Sequence, residues 1–265
     1  MKKKIESFIN KIKNFVLDNK IFFLFVIVNV INDMVLRGIT FGKLDNLFSI
    51  VPILSSLALV TMVLSFVYLF KKEFSKKLYM ITITVFLTLL CIINSSYYNY
   101  FSSYTSISQL VTTKYLGEVK DSLITVVKLR DFIYLVLPTI LIVYILKTKY
   151  KFSNTKSFKS FLKVNNLTVL CTILFMLNLR PVDYSRLVKQ WNRIYLVEKF
   201  GLYVYHVNDV FQSVEPKLIA IFGYDKAKRN FKDYYGKRSD VQNYTNEYTN
   251  MFKGKNLISI HGESI

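Results

Sequence analysis

The stretch Leu47–Phe70, LFSIVPILSSLALVTMVLSFVYLF, carries no charged side chain and runs straight into KKEFSKK at Lys71–Lys77. An α-helix rises about 1.5 Å per residue, so roughly 20 apolar residues cross the hydrocarbon of a bilayer. This stretch is long enough to do so, and lysines of the kind behind it mark the cytoplasmic end of a span. The same reading extends outward to Ile21–Leu36, Leu78–Tyr98, Phe132–Leu146 and Leu167–Leu179. The first and the last two of these are short, so their ends are expected to run into the flanking residues.

The composition of the 265-residue chain fits that reading. It is 52% hydrophobic with a mean hydropathy of +0.30, yet Lys+Arg number 36 against 17 Asp+Glu, a net charge of +19. Such a balance suits either a nucleic-acid binder or a membrane protein with cations beside its spans. The positions decide between them. Lys2, Lys3, Lys4, Lys11, Lys13 and Lys20 precede the first span, and Lys71, Lys72, Lys76 and Lys77 follow the second. Lys147, Lys149, Lys151, Lys156, Lys159 and Lys163 follow the fourth. The alternate loops hold only Arg37 and Lys43, and then Lys114, Lys120, Lys128 and Arg130 spread over residues 99–131. This asymmetry predicts a multi-pass protein with a cytoplasmic N-terminus and everything beyond Arg180 outside. Nucleic acid is not expected as a partner. Cys91 and Cys171 both fall inside spans, in no metal or disulfide spacing.

Five regions are expected. Residues 1–20 form a cytoplasmic amphipathic lead-in, with Ile5, Phe8, Ile9, Ile12, Phe15 and Val16 at helical spacing and no signal-peptide cleavage pattern. Residues 21–179 form the five-helix transmembrane domain, whose outer interfacial loop at 99–131 reads as a helical pair split at Gly117. Residues 180–215 read as an outer-leaflet amphipathic segment. There Leu187, Trp191, Ile194 and Tyr195 share a face, Arg186, Lys189, Arg193 and Lys199 lie largely elsewhere, and Gly201 stops the helix. Residues 216–253 read as an extracellular, tyrosine-rich helical tether, with Ser239 and Gln242 as a capping box for a helix through about Phe252. Residues 254–265 hold a short apolar strand, Asn256–Ile260, ending in polar residues. The fold class is therefore an α-helical membrane protein with five transmembrane helices, interfacial amphipathic helices, a tether and one strand.

The candidate site residues are few. Asp33 and Arg37 stand four apart near the end of the first span, where acid and base share a helix face. They suit a lipid-headgroup or substrate site, or a pair that eases the helix out of the membrane. Arg180, Trp191 and Arg193 are further lipid or interface candidates. Asn94 suits an interhelical hydrogen bond. His206 and Asp209 have neither a third ligand nor an adjacent nucleophile, so a surface or docking role is favoured over catalysis. Glu263 follows the strand at its carboxyl end, where open α/β sheets place ligands, but one acid cannot hold a catalytic cation.

Several stretches together resemble one family. These are NDMVLR (Asn32–Arg37), KLRDF (Lys128–Phe132), Arg180-Pro181, LVEKFGLYVYHVNDV (Leu196–Val210) and GKNLISIHGES (Gly254–Ser264). They resemble the lipoteichoic acid synthases, bacterial membrane proteins with five spans and an extracellular sulfatase-like domain of the alkaline-phosphatase superfamily. The resemblance runs over nearly the whole chain. It implies a transferase that moves glycerophosphate from phosphatidylglycerol onto a growing polymer of the cell envelope. It also implies a divalent cation, usually Mn²⁺, a threonine nucleophile, and Glu263 as the first metal ligand. No catalytic residue of the family falls at a matching position here, so this chain is expected to be the membrane module and first strand of a longer enzyme. By itself it is expected to bind no metal and to be inactive, its partners being membrane lipids and its own C-terminal domain. His261 and Gly262 depart from the residues that usually precede that glutamate, which keeps a sulfatase-like or phosphoethanolamine-type sibling open. A non-catalytic membrane protein that binds lipid or a partner through residues 99–131 and 184–200 is the other alternative.

Overall fold

Apolar runs become helices in a membrane because only the chain itself can satisfy its backbone N–H and C=O groups there. The computed structural model describes residues 10, 13–107, 126–148, 157–236 and 246–256. Among these, five helical segments are long and apolar enough to cross a membrane: Lys20–Phe41, Asp45–Leu69, Glu73–Phe101, Leu129–Lys147 and Phe158–Leu177.

The first span is α1 (Lys20–Phe41), and a single turn, α2 (Leu44–Leu47), precedes α3 (Ile50–Ser65). A 3₁₀ turn, Phe66–Leu69, completes the second span. The third is α4 (Glu73–Phe101); the fourth opens with a 3₁₀ stretch, Leu129–Leu135, and continues as α5 (Val136–Lys147). The fifth is α6 (Ser157–Leu177). Then come α7 (Pro181–Val188), α8 (Arg193–Phe200), α9 (Leu202–Phe222) and α10 (Tyr224–Gly236). No strand occurs among the described residues. The chain divides into two compact units, Met1–Val214 and Glu215–Ile265.

In the first unit α1 packs against α3, α4 and α5, and α6 lies along α3. Phe22, Phe25, Val26 and Leu36 of α1 are buried with Leu64, Val67, Met80 and Cys91. Polar groups join the helices inside this apolar packing. Asn29 Nδ2 donates to Thr84 Oγ1 at 3.0 Å, and Asn32 Nδ2 donates to the Tyr134 carbonyl at 3.1 Å. Such bonds hold transmembrane helices together where lipid tails offer no competing partner.

Several expectations change. The fifth span extends ahead of Leu167, as its short apolar run implies, and what changes is that Lys159 and Lys163 belong to the helix rather than to a loop. Lysines in a first helical turn or two can carry their charge out on long stems, and Lys163 Nζ sits 5.6 Å from the Phe15 ring centroid. The single amphipathic helix expected across Leu187–Tyr195 is two helices, broken where Gln190 takes φ 46°. The helix expected to reach Phe252 is absent from its described part: residues 247–254 form turns, with Thr249 N–H donating to the Asn246 carbonyl. The helical pair around Gly117, the capping box at Ser239, most of residues 1–12 and the strand beyond Asn256 lie outside the described residues.

Candidate functional site around Asp33

Successive spans alternate in direction. The end of α1, the start of the second span, the end of α4, the start of the fourth span and the end of α6 therefore share one end of the bundle. Four aspartates at that end have no solvent exposure: Asp33, Asp131, Asp183 and Asp209. A buried carboxylate is tolerated only when its oxygens are paired. Each of these four accepts a backbone N–H, and each fixes a connector.

Asp33 belongs to the first span itself. Its Oδ1 accepts from Leu202 N–H at 2.8 Å, the first residue of α9. Its Oδ2 accepts from Ser56 Oγ at 2.8 Å and from Arg37 Nε at 3.2 Å. The first amides of a helix have no intrahelical partner, and an anion suits the positive end of the helix dipole. The first span thus caps a helix that starts after the fifth. Arg37, equally buried, donates through Nη1 to the Asn46 carbonyl at 2.5 Å. The neighbouring Ser55 hydroxyl donates to the carbonyls of Pro52 and Phe200.

Gly201 makes this approach possible. It stops α8 and takes φ 79°, a region side chains disfavour. A Cβ there would lie 2.7 Å from Ser56 Oγ and 3.2 Å from Asp33 Oδ2. On either side of it Leu196, Val197, Phe200, Leu202, Tyr203 and Tyr205 are buried. Tyr203 donates to the Asn29 carbonyl at 2.9 Å and Tyr205 to the Thr105 carbonyl at 2.8 Å.

The other three carboxylates tie down what surrounds this junction. Asp131 accepts from Lys128 N–H at 2.8 Å, from Ser95 Oγ at 2.6 Å and from Asn99 Nδ2 at 2.9 Å. Asp209 accepts from Ser106 Oγ and from Ile107 N–H, both at 2.6 Å, and from Gln190 Nε2 at 3.1 Å. Asp183 accepts from Arg180 N–H at 2.9 Å and from the Tyr195 hydroxyl, with Lys199 Nζ at 3.9 Å. Burial opposes ionisation of Asp183. The Tyr195 hydroxyl, Arg180 and Lys199 outweigh it and hold the carboxyl at about 2.

The residues singled out in sequence separate into two groups. Asp33 and Arg37 form one buried pair, with side chains 0% and 1% exposed, and neither faces the bundle exterior. Arg193 Nη1 reaches the Tyr104 carbonyl at 3.3 Å, whereas Arg180 is mostly exposed beside Asp183. Trp191 is exposed and carries Arg186 against its ring at 4.8 Å. His206 and Asp209, expected at a surface, are buried. Their partners come from elsewhere in the bundle: His206 Nε2 lies 2.8 Å from Asn94 Nδ2, an interhelical bond. Burial pushes the His206 imidazole down to about 4, against the pull of Asp209.

Sequence reasoning passed over Ser56, Asp131 and Asp183. A signal for two of them was present: Lys128-x-x-Asp131 and Arg180-Pro-x-Asp183 both place an acid three residues into a helical start, where it can reach back to an open N–H. Nothing local marks Ser56, whose partner is far away in sequence. Glu263 lies outside the described residues. Among those described, no three His, Cys, Asp or Glu side chains converge to hold a metal ion. In the Asp33 cluster both carboxylate oxygens are taken, and Arg37 is paired through Nε and Nη1 while its Nη2 has no hydrogen-bond partner; the cluster's chemistry is positional, since it fixes backbone.

Comparison with known proteins shows the family. The lipoteichoic acid synthase N-terminal domain model matches residues 1–219. Lipoteichoic acid synthase 2 of Bacillus subtilis (strain 168) is 27% identical over 206 residues, 76% of this chain and 31% of that protein. The lipoteichoic acid synthase of Staphylococcus aureus (strain USA300) is 29% identical over 227 residues, 84% of this chain and 34% of that protein. The chain thus spans about a third of the length of the curated relatives it matches. No solved structure matches it. The chain belongs to the lipoteichoic acid synthase family, and its five-helix unit is the N-terminal membrane module of that family.

Proposed function

We propose that this module anchors and orients an enzyme that transfers glycerophosphate from phosphatidylglycerol to an extracellular cell-envelope polymer. One observation carries the positional part: Asp33 of the first span caps α9 at Leu202, so the segment after the last span leaves the bundle from a fixed point. The cap fixes where α9 begins within the bundle. Family membership supplies the chemistry of the reading, with phosphatidylglycerol as donor and a divalent cation, Mn²⁺, serving the longer enzyme. Lysine asymmetry supplies the topology, with the N-terminus in the cytoplasm and residues beyond Arg180 outside the cell.

Two measurements test this. Reporter fusions at Lys76, Lys156 and Lys226 are expected to report inside, inside and outside; an inside signal at Lys226 overturns the topology. The chain alone is expected not to turn over labelled phosphatidylglycerol. A chimera joins residues 1–253 to the Staphylococcus aureus relative beyond its matched region, and it is expected to restore transfer. Asp33→Asn in that chimera is expected to reduce transfer while the protein remains in the membrane. An active chimera indifferent to Asp33→Asn would remove the positional role.

A further inference from the structure

Between α3, α6 and α9 lies a cleft of about 170 Å³ in the first unit. Ala58, Leu59 and Met62 of α3 form one wall, and Phe175 of α6 and Val204 of α9 stand opposite. Met62 is 42% exposed at its open edge, while Ala58 is buried on its floor. Thr168 also lines it, and its hydroxyl has no hydrogen-bond partner among the described residues. Protein atoms do not complete this surface.

Its position determines what can. α3 and α6 belong to two helices long and apolar enough to cross a membrane, so a cleft between them lies at the depth of the hydrocarbon when they do. Water would find the Thr168 hydroxyl to bond but few other polar partners, because the walls are otherwise almost wholly apolar. An empty space instead forfeits the dispersion contacts of every atom lining it. The material on hand to fill it is a lipid tail. The charge at one end of the cleft suggests which lipid. Phe175 packs edge-on against Phe200 at 5.9 Å. Lys199 immediately precedes Phe200, and Arg180 follows Phe175 by little more than a helical turn. Both cations attend Asp183, whose single negative charge leaves one positive charge over. Arg180 is 71% exposed and Lys199 28%, so both remain accessible to an anion.

We propose that this cleft seats one acyl chain of a membrane phospholipid, with its anionic headgroup at the Arg180–Lys199 end. The bound lipid joins the second and fifth spans to the start of α9 and fills the packing defect between them. The tail gains no hydrophobic free energy over lipid, since it leaves one hydrocarbon for another; its hold is packing, and the headgroup gives the preference. The proposal rests on the five helices crossing a bilayer, and not on the transferase chemistry, so either can fail alone.

Native mass spectrometry tests it on the full chain, in mild detergent with equal phosphatidylglycerol and phosphatidylcholine. The wild type is expected to retain one phospholipid, phosphatidylglycerol being favoured about threefold. Ala58→Phe fills the floor and is expected to cut retention about fivefold. Met62→Trp, at the exposed edge where folding is not at stake, is expected to act in the same direction. Leu89→Phe, exposed on α4 away from the cleft, is expected to change nothing. Arg180→Gln with Lys199→Gln is expected to keep the lipid and lose the preference. No retained lipid in the wild type, or retention unchanged in both Ala58→Phe and Met62→Trp, overturns the site. An unchanged preference in the Gln pair overturns the headgroup assignment.

Discussion

Leu202–Val210 and Tyr224–Gly236 are both helical, rich in tyrosine and interrupted by titratable groups. Their environments are opposite. In the first stretch Leu202, Tyr203, Tyr205, His206 and Asp209 are buried, whereas the second has no buried residue. Part of the difference is in the side chains: Asp225, Lys226, Lys228, Arg229, Lys232 and Asp233 charge the second stretch, whereas the first carries Asp209 alone among valines and tyrosines. Distant positions supply a partner for each polar group of the first stretch: Asn29 for Tyr203, Thr105 for Tyr205, Asn94 for His206, Ser106 and Ile107 for Asp209. Tyrosine enters a core when its hydroxyl has somewhere to go. Burial here takes both a mostly apolar stretch and a surface that receives its few polar groups.

The comparison breaks most completely if Asp33 is lost. Asp33→Ala leaves Arg37 buried without its anion and the Leu202 amide without an acceptor. A loss of about 3–5 kcal/mol is expected, read by thermal unfolding in lipid nanodiscs. Replacing both members, as Asp33→Leu with Arg37→Met, is expected to cost less than Asp33→Ala alone, since no charge is stranded.

The same substitution at two glycines sharpens the contrast. Gly201→Ala meets Ser56 and Asp33 and keeps an unfavourable φ, with an expected cost of about 1–3 kcal/mol. At Gly236 a Cβ has nothing within 4 Å, and Gly236→Ala is expected to shift stability by less than about 0.5 kcal/mol. Equal effects at the two sites in denaturant titrations would erase the distinction.

Acid separates two of the buried groups. His206 titrates at about 4 in the fold against 6.5 ordinarily, so the unfolded chain takes up the proton first. Stability contributed by a neutral His206 is complete above pH 6.5 and declines as the pH falls toward 4. Asp183, lowered from 3.8 to about 2, contributes stability that is complete above 3.8 and is lost as the pH falls through 2. His206→Gln is expected to flatten the upper decline and Asp183→Asn the lower one, in stability measured against pH.

The smallest effect is a pair of hydroxyls. Tyr205→Phe removes the donor to the Thr105 carbonyl and is expected to cost about 1 kcal/mol. Tyr235→Phe, on an exposed residue, is expected to stay within about 0.5 kcal/mol. Chemical denaturation of both variants checks the ratio.

The spans were legible because a bilayer imposes length and apolarity on each segment by itself. Leu47–Phe70 announces a crossing without reference to any other residue. Their ends were less so: α6 takes in Lys159 and Lys163, which a charge count assigns to a loop, because a long stem lets the charge leave while the backbone stays helical. The Asp33 pair was visible as a spacing, but its role was not. That role depends on Ser56 and on Leu202, which lies 169 residues from Asp33. Hydropathy sees Leu196–Val210 as amphipathic and sends it to a membrane surface. The bundle's buried acceptors bring it inside instead.

The central claim is that α9 begins at a fixed point, its first amide held by a carboxylate of the first span. Amide hydrogen exchange on the full chain in lipid nanodiscs measures this at the residues concerned. Peptides covering residues 200–206 are predicted to exchange as slowly as those of α1 and far more slowly than those covering 224–236. In Asp33→Asn, residues 200–206 are predicted to speed up while α1 below Asn29 stays protected. Exchange at 200–206 in the wild type that matches 224–236 would contradict the account.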